Sequence, residues 1–212
     1  MTARPMFPLE SALLPGEQLP LHVFEPRYAA LVADCLRASE PAFGVVMIAR
    51  GREVGGGDAR CDVGALARIV EHQDLGPGRY ALLCEVGERI RVLQWLADEP
   101  YPRALVERWP DESGDAVTSG QIADIEDRIM GLFERIAAAQ QMQLPPRYEL
   151  LGDAEPGDDA GKRLYALASR LPMGQADRYS VLSAPTATAR LRALGEALDT
   201  VTAMVEFQLS GD

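Results

Sequence analysis

Lysine is almost missing from this 212-residue chain: of 21 basic side chains only Lys162 is a lysine, and the rest are arginines. Arginine stays protonated and cannot act as a general base, so amine-dependent chemistry would have one residue to use. The two histidines, His22 and His72, stand alone on strand-like segments, which favours a structural or surface role over ligation, since a metal site needs three or four convergent donors. Cys35, Cys61 and Cys84 are odd in number, far apart and free of any CxxC spacing, which argues against a disulfide framework or a zinc site and fits a reducing compartment. No Gly-x-Ser-x-Gly elbow is present. No stretch approaches the roughly 18 apolar residues of a membrane span, and the first ten residues hold no apolar signal core. A cytoplasmic protein without membrane contact is expected. The net charge of −11 and pI near 4.7 argue against binding that depends on neutralising phosphate, whether of nucleic acid or of anionic lipid.

What is present is ordinary globular material, 47% hydrophobic and 25% charged, enough for one or two domains with a sizeable core. The patterning changes near residue 115, across the polar, turn-rich stretch Pro110 to Asp115, which divides 1–115 from 116–212. Short β-rich runs come first: Phe43 to Ile48, Ala65 to Val70, Tyr80 to Val86, Ile90 to Trp95 and Ala104 to Trp109. Turn clusters at Gly51 to Gly57 and Gly76 to Gly78 separate them, as an antiparallel sheet requires. One helix interrupts, opened by Pro26 and carrying Tyr28, Leu31, Val32, Cys35 and Leu36 at helical spacing.

Beyond residue 115 the apolar period becomes helical. Ile122, Ile125, Ile129, Leu132, Phe133 and Ile136 form one stripe behind a Thr118/Gln121 capping box, and Pro145 and Pro146 bar its continuation. Further helices are expected through Leu164 to Leu171, over Gln175 to Leu182, and from Leu191 to Val205, with Leu144 to Gly161 as a loop. No one stripe can bury itself, so these helices should pack as a bundle. Residues 1–110 carry 12 basic and 15 acidic side chains and residues 111–212 carry 9 and 17, so the helical half supplies most of the acidity.

Several patterns invite a chemical reading. Gly157 to Arg163 superficially resembles a phosphate-binding loop. It has only three residues between its glycines, Arg163 in place of the magnesium-binding hydroxyl, and two aspartates that would repel phosphate; Asp159 reads instead as a helix N-cap. Cys35 lies on an apolar helical stripe and Cys84 inside an apolar strand, where a thiol is a small hydrophobe; Cys61 has only Arg60 nearby to lower its pKa. Trp95 and Trp109 end two strands and, with Tyr80 and Tyr101, are candidates for lining an apolar groove that takes extended peptide, the competing role being packing. The N-terminal segment alternates strand and turn, with prolines at 8, 15, 20 and 26 keeping most of it from helix or central sheet. Glu25 stands where it complements a helix dipole, and Arg27 is placed to pair with a carboxylate.

Phe7-Pro8-Leu9 followed by Pro20-Leu-His-Val-Phe24-Glu25-Pro26-Arg27-Tyr28 resembles the opening of the Lon amino-terminal, substrate-binding domain family. Phe43 to Val46, Val63 to Glu71, Gly78 to Glu85 and Arg89 to Val92 are similar to its successive strands, and Leu182 to Leu194 to its closing helical region. Each motif alone is weak; their order over about residues 6–207 carries the resemblance. It implies an α+β fold, a PUA-like pseudo-barrel of about six strands and one helix followed by a helical bundle, with the opening motif in a structural role. It also implies a stand-alone bacterial member without ATPase and protease domains, needing no cofactor. Its expected partners are unfolded or degron-bearing polypeptides and a separate protease or chaperone, in a non-enzymatic adaptor role in protein quality control. The rival expectations are a PUA-like RNA-binding module, opposed by the acidity, and a small hydrolase, for which no titratable pair is visible.

Overall fold

A computed structural model describes residues 2–50, 59–153 and 159–210. The expected turn at Gly51 to Gly57 and the Gly157–Asp158 part of the phosphate-loop lookalike lie outside the described residues. The chain forms two compact units, Met1–Pro110 and Asp111–Asp212.

The first unit contains β1 (Thr2–Leu9), β2 (Gln18–Val23), α1 (Pro26–Arg37), β3 (Ala42–Arg50), β4 (Ala59–Asp74), β5 (Tyr80–Trp95) and β6 (Arg103–Arg108). Strand order is β2-β5-β4-β3-β1-β6, and β6 also pairs with β5. The pairing path β5-β4-β3-β1-β6 therefore returns to β5. β2 hangs outside it with one free edge, so the sheet is a pseudo-barrel rather than a closed barrel.

Two apolar clusters fill the two faces. Met6, Val46, Ile90, Val92, Ala104 and Val106, joined by Leu66 and Trp95, come from all five strands of the circuit and form its interior. The second, larger cluster lies on the outer face, where the Tyr28, Leu31, Val32 and Cys35 stripe of α1 packs on Phe7, Phe43, Val45, Ala67 and Cys84. Phe7 and Tyr28, both from the opening motif, stack at 4.0 Å between ring centroids.

Tyr80 to Val86 and Ile90 to Trp95 are one continuous strand, not two. The physical reason is a bulge: β4 advances from Ala65 to Ala67 while β5 advances from Arg89 to Val86. That extra residue turns the side-chain alternation over, so Val86 joins the outer cluster and Ile90 the interior although both are even-numbered. A single strand thereby serves β2 with its first half and β6 with its second.

The prolines do not keep β1 at the rim of the sheet either. Among the described residues its first half, Thr2 to Pro5, is in register with β6 and its second, Met6 to Leu9, with β3, so Pro5 and Pro8 each lie in a half-strand with one ladder partner. Pro26 occupies the first turn of α1 as expected, but Glu25 makes no side-chain cap; its carboxylate takes Arg27 Nε at 3.1 Å.

The second unit contains α2 (Ser119–Ala139), α3 (Arg147–Leu151), α4 (Ala160–Arg170), α5 (Gln175–Ser183) and α6 (Ala187–Ser210). Thr118 and Gln121 form the reciprocal capping box, and Asp159 caps α4 by accepting from Gly161 N at 2.8 Å. The stretch Leu144 to Gly161, expected as loop throughout, holds α3. The end of α3 is fastened by Arg163, whose Nη1 donates to Leu151 O and Gly152 O while its Nε and Nη2 grip Glu126. The residue that disqualifies a magnesium site thus links α4, α3 and α2. Ion pairs Arg128–Asp199 and Arg135–Glu206 step seven residues along both helices, so α2 and α6 run parallel. Asp111 to Asp115 belong with this unit: Asp111 pairs with Arg190, Glu112 N donates to Pro185 O, and Thr188 donates to Asp115 O.

Candidate functional site

The four aromatics expected to line one groove fall into three surroundings, the two tyrosines sharing one. Tyr101 is buried in the outer cluster and donates to Asp34 Oδ2 at 2.5 Å. Tyr80 packs partly buried against that same cluster. Trp95 belongs to the interior cluster and is covered by Arg60, whose guanidinium carbon stands 4.7 Å from the ring and which grips Asp98 with both terminal nitrogens. Trp109 is buried between Arg89 at 4.4 Å and Arg91 at 3.8 Å. Desolvated guanidinium contacts of this kind contribute stability of about 1–2 kcal/mol each. They leave Trp109 little surface to offer a peptide.

The two buried thiols are tuned away from nucleophilic work. Burial pushes Cys35 up to about 11 and Cys84 up to about 12, the reverse of what a reactive thiolate requires. Burial, then the hydrogen bond to Asp34, likewise raises Tyr101 to about 12. All three protons are held more tightly in the fold than in the unfolded chain. Their stabilising contribution is complete below pH 9, where the unfolded thiols begin to titrate, and is lost as pH climbs toward 12. Native protein at about pH 8 should therefore modify Cys35 and Cys84 with a disulfide reagent only on unfolding, Cys61 reacting ahead of both. Rapid native labelling of Cys35 or Cys84 would contradict this placement. His22 and His72 are exposed, and among the described residues no group of three or more His, Cys, Asp or Glu is arranged to hold a metal ion. No described helix is long and apolar enough to cross a membrane.

A different constellation stands out at the tip of the β4–β5 hairpin. Val23 lies opposite Tyr80 and Tyr80 opposite Asp74, so β2, β5 and β4 end side by side. Phe24 and Leu75 extend from the two outer ends, two strand spacings or roughly 10 Å apart, with Tyr80 on the strand between. Phe24 is 58% and Leu75 49% exposed. The tip is rigid: Gly76 and Gly78 adopt positive φ, Gly76 N donates to Asp74 Oδ1 at 2.9 Å, and Leu75 N and Arg79 O close the turn at 2.9 Å. Exposed apolar side chains on a fixed turn are preorganised for contact. Sequence reasoning assigned Phe24 to a structural motif and passed over Leu75. The available signal was a large apolar residue in each of two places that cannot bury one: between a strand end and a helix-opening proline, and in an Asp-Leu-Gly-Pro-Gly turn.

A model of the ATP-dependent protease La (LON) substrate-binding domain matches residues 3–200. Lon protease 2 of Sorangium cellulosum is 30% identical over 196 residues, which are 89% of this chain and 23% of that protein. Lon protease of Anaeromyxobacter dehalogenans is 31% identical over 144 residues, 67% of this chain and 16% of that one. The chain thus spans less than a quarter of the length of these relatives. Among solved structures, a Lon N-terminal domain protein from Xanthomonas campestris is similar at TM-score 0.65 and 28% identity, covering 92% of this chain and 98% of its own. The N-terminal domain of Mycobacterium avium complex Lon protease shares the fold at TM-score 0.63 and 16% identity, over 93% and 98%.

Proposed function

The chain belongs to the LON substrate-binding domain family, and on that premise we propose that it captures unfolded or degron-bearing polypeptides by contact alone. In this reading it catalyses nothing itself and hands its cargo to a separate protease or chaperone as an adaptor. The observation that carries the reading is the apolar tip: Leu75 exposed on a turn whose backbone is closed by its own hydrogen bonds, and Phe24 exposed between the end of β2 and the start of α1, with Tyr80 on the strand between. Such a surface suits the apolar side chains that a folded protein hides and an unfolded one shows. The two buried thiols, Cys35 and Cys84, held above their ordinary range, and the arginines covering Trp95 and Trp109 support binding over chemistry.

Phe24→Asp and Leu75→Asp should each weaken binding of a permanently unfolded polypeptide, such as reduced carboxymethylated casein, by about tenfold or more. Hot-spot side chains at interfaces typically carry 2 kcal/mol or more. Both residues are exposed, so the thermal midpoint should move little. Titration by fluorescence anisotropy reads the first quantity and circular dichroism the second. Wild-type affinity in both folded variants would remove the tip from the binding surface.

A further inference from the structure

The interior of the strand circuit is packed unevenly. Deep inside, a Cβ on Gly44 would meet Met6 Sδ at 2.5 Å and Ile90 Cδ1 at 2.8 Å, so nothing more fits there. At one mouth, however, a cavity of about 350 Å3 opens over Leu66, Ile90 and Val106, with Arg4, Glu107 and Arg108 around it. That volume is at the low end of small-ligand sites, roughly 300–1,000 Å3, and suits one or two side chains rather than a folded partner.

The charges at this mouth are unequal. Arg108 is exposed and already engaged, its Nε 2.8 Å from Glu88 Oε2. Arg4 is half-buried, shares strand parity with the interior residue Met6, and has no carboxylate within ion-pair distance among the described residues. A guanidinium beside aliphatic side chains, with no described carboxylate at ion-pair distance, is matched by a carboxylate attached to an apolar group. Glu107, in the same lining, opposes added negative charge, so a carboxylate is held there only through direct contact with Arg4.

We propose that this mouth holds the C-terminal carboxylate and last apolar side chain of a polypeptide. The inference rests on the reading that the chain binds polypeptides, and it locates a second contact apart from the hairpin tip. A chain end presents a carboxylate and a side chain on the same carbon, which is the spacing that a single arginine beside Leu66, Ile90 and Val106 can satisfy. Main-chain carboxylate capture is a recurring mode of peptide recognition.

The test uses the whole chain and a labelled flexible hexapeptide ending in Val-Leu, made as the free acid and as the amide. The acid should bind about tenfold more tightly, the equivalent of 1.4 kcal/mol. Arg4→Gln should bring the acid down to the level of the amide, Arg4→Lys should recover part of the difference, and Phe24→Asp should leave the ratio unchanged. Equal affinity of wild-type protein for acid and amide would overturn the proposal without recourse to any variant. So would a folded Arg4→Gln protein that keeps the wild-type ratio. Octanoate displacing the acid at equal concentration would reassign the mouth to free amphipathic carboxylates. Should the ratio be one while Phe24→Asp still weakens casein binding, this site fails and the polypeptide-binding reading stands.

Discussion

Asp111→Asn is expected to destabilise the helical unit by about 3–5 kcal/mol, the range for breaking a buried ion pair by removing one partner. Arg190 is 1% exposed, and Asp111 grips it with both oxygens, Oδ2 to Nη1 at 2.9 Å. Its remaining contacts are Gly161 O at 3.3 Å from Nη1 and the face of the Tyr165 ring at 3.9 Å. The neutral amide keeps the shape and removes the charge, stranding a guanidinium where water cannot reach it. Arg190→Met should cost less, because Asp111 is about one-third exposed and can be hydrated when alone. The double variant should therefore be more stable than Asp111→Asn by itself. Denaturant unfolding of the intact chain measures all three. A cost for Asp111→Asn below about 1 kcal/mol, the range of an exposed pair, would show that the pair is not held as described.

Much of the architecture was legible because local rules and global packing agree in this chain. The Thr118/Gln121 box, the Asp159 cap and the Ile125, Ile129 and Leu132 stripe each depend on spacing within one turn or two, and each is found where that spacing puts it. What was not legible depends on pairing at a distance. Nothing local announces that β5 continues through Gly87 and Glu88, since the bulge exists only relative to β4. Nor can a proline count reveal that β1 changes partner halfway along, which is what frees Pro5 and Pro8 from the usual penalty.

The candidate surface was less legible than the fold, for a related reason. Aromatic residues carry the most area, yet area is what a core consumes first. Trp95 and Trp109 are screened by arginines drawn from neighbouring strands, a contact that no linear pattern displays. Phe24 and Leu75 form a pair only because β2, β5 and β4 end in register. The run from Phe7 to Tyr28 resembles a known opening motif; within it Phe7 and Tyr28 stack on each other, whereas Phe24 is exposed.

Gly64→Ala should be among the most damaging single changes in the sheet, costing about 3 kcal/mol or more. Gly64 pairs with Val46 across the β3–β4 ladder, and an added Cβ would lie 2.0 Å from Val45 O and 2.7 Å from Val46 Cγ1. The first of these atoms is backbone within a hydrogen-bonded strand, so relief requires the two strands to part, and with them the wall shared by the interior cluster through Val46 and the outer cluster through Val45 and Ala65. Gly44→Ala is the informative comparison within the same sheet: its nearest obstacles are the ends of Met6 and Ile90, which can rotate, and its cost should be smaller. Gly131→Ala supplies the opposite sign. It lies inside α2 with nothing within 4 Å of the added carbon, and replacing a helical glycine by alanine should stabilise by roughly 0.5–1 kcal/mol. Urea unfolding of the three variants gives the order directly: Gly131→Ala above wild type, Gly44→Ala below it, and Gly64→Ala lowest. A Gly64→Ala protein as stable as wild type would mean that β3 and β4 do not approach each other at this point, and the division of Val45 and Val46 between two faces would fall with it.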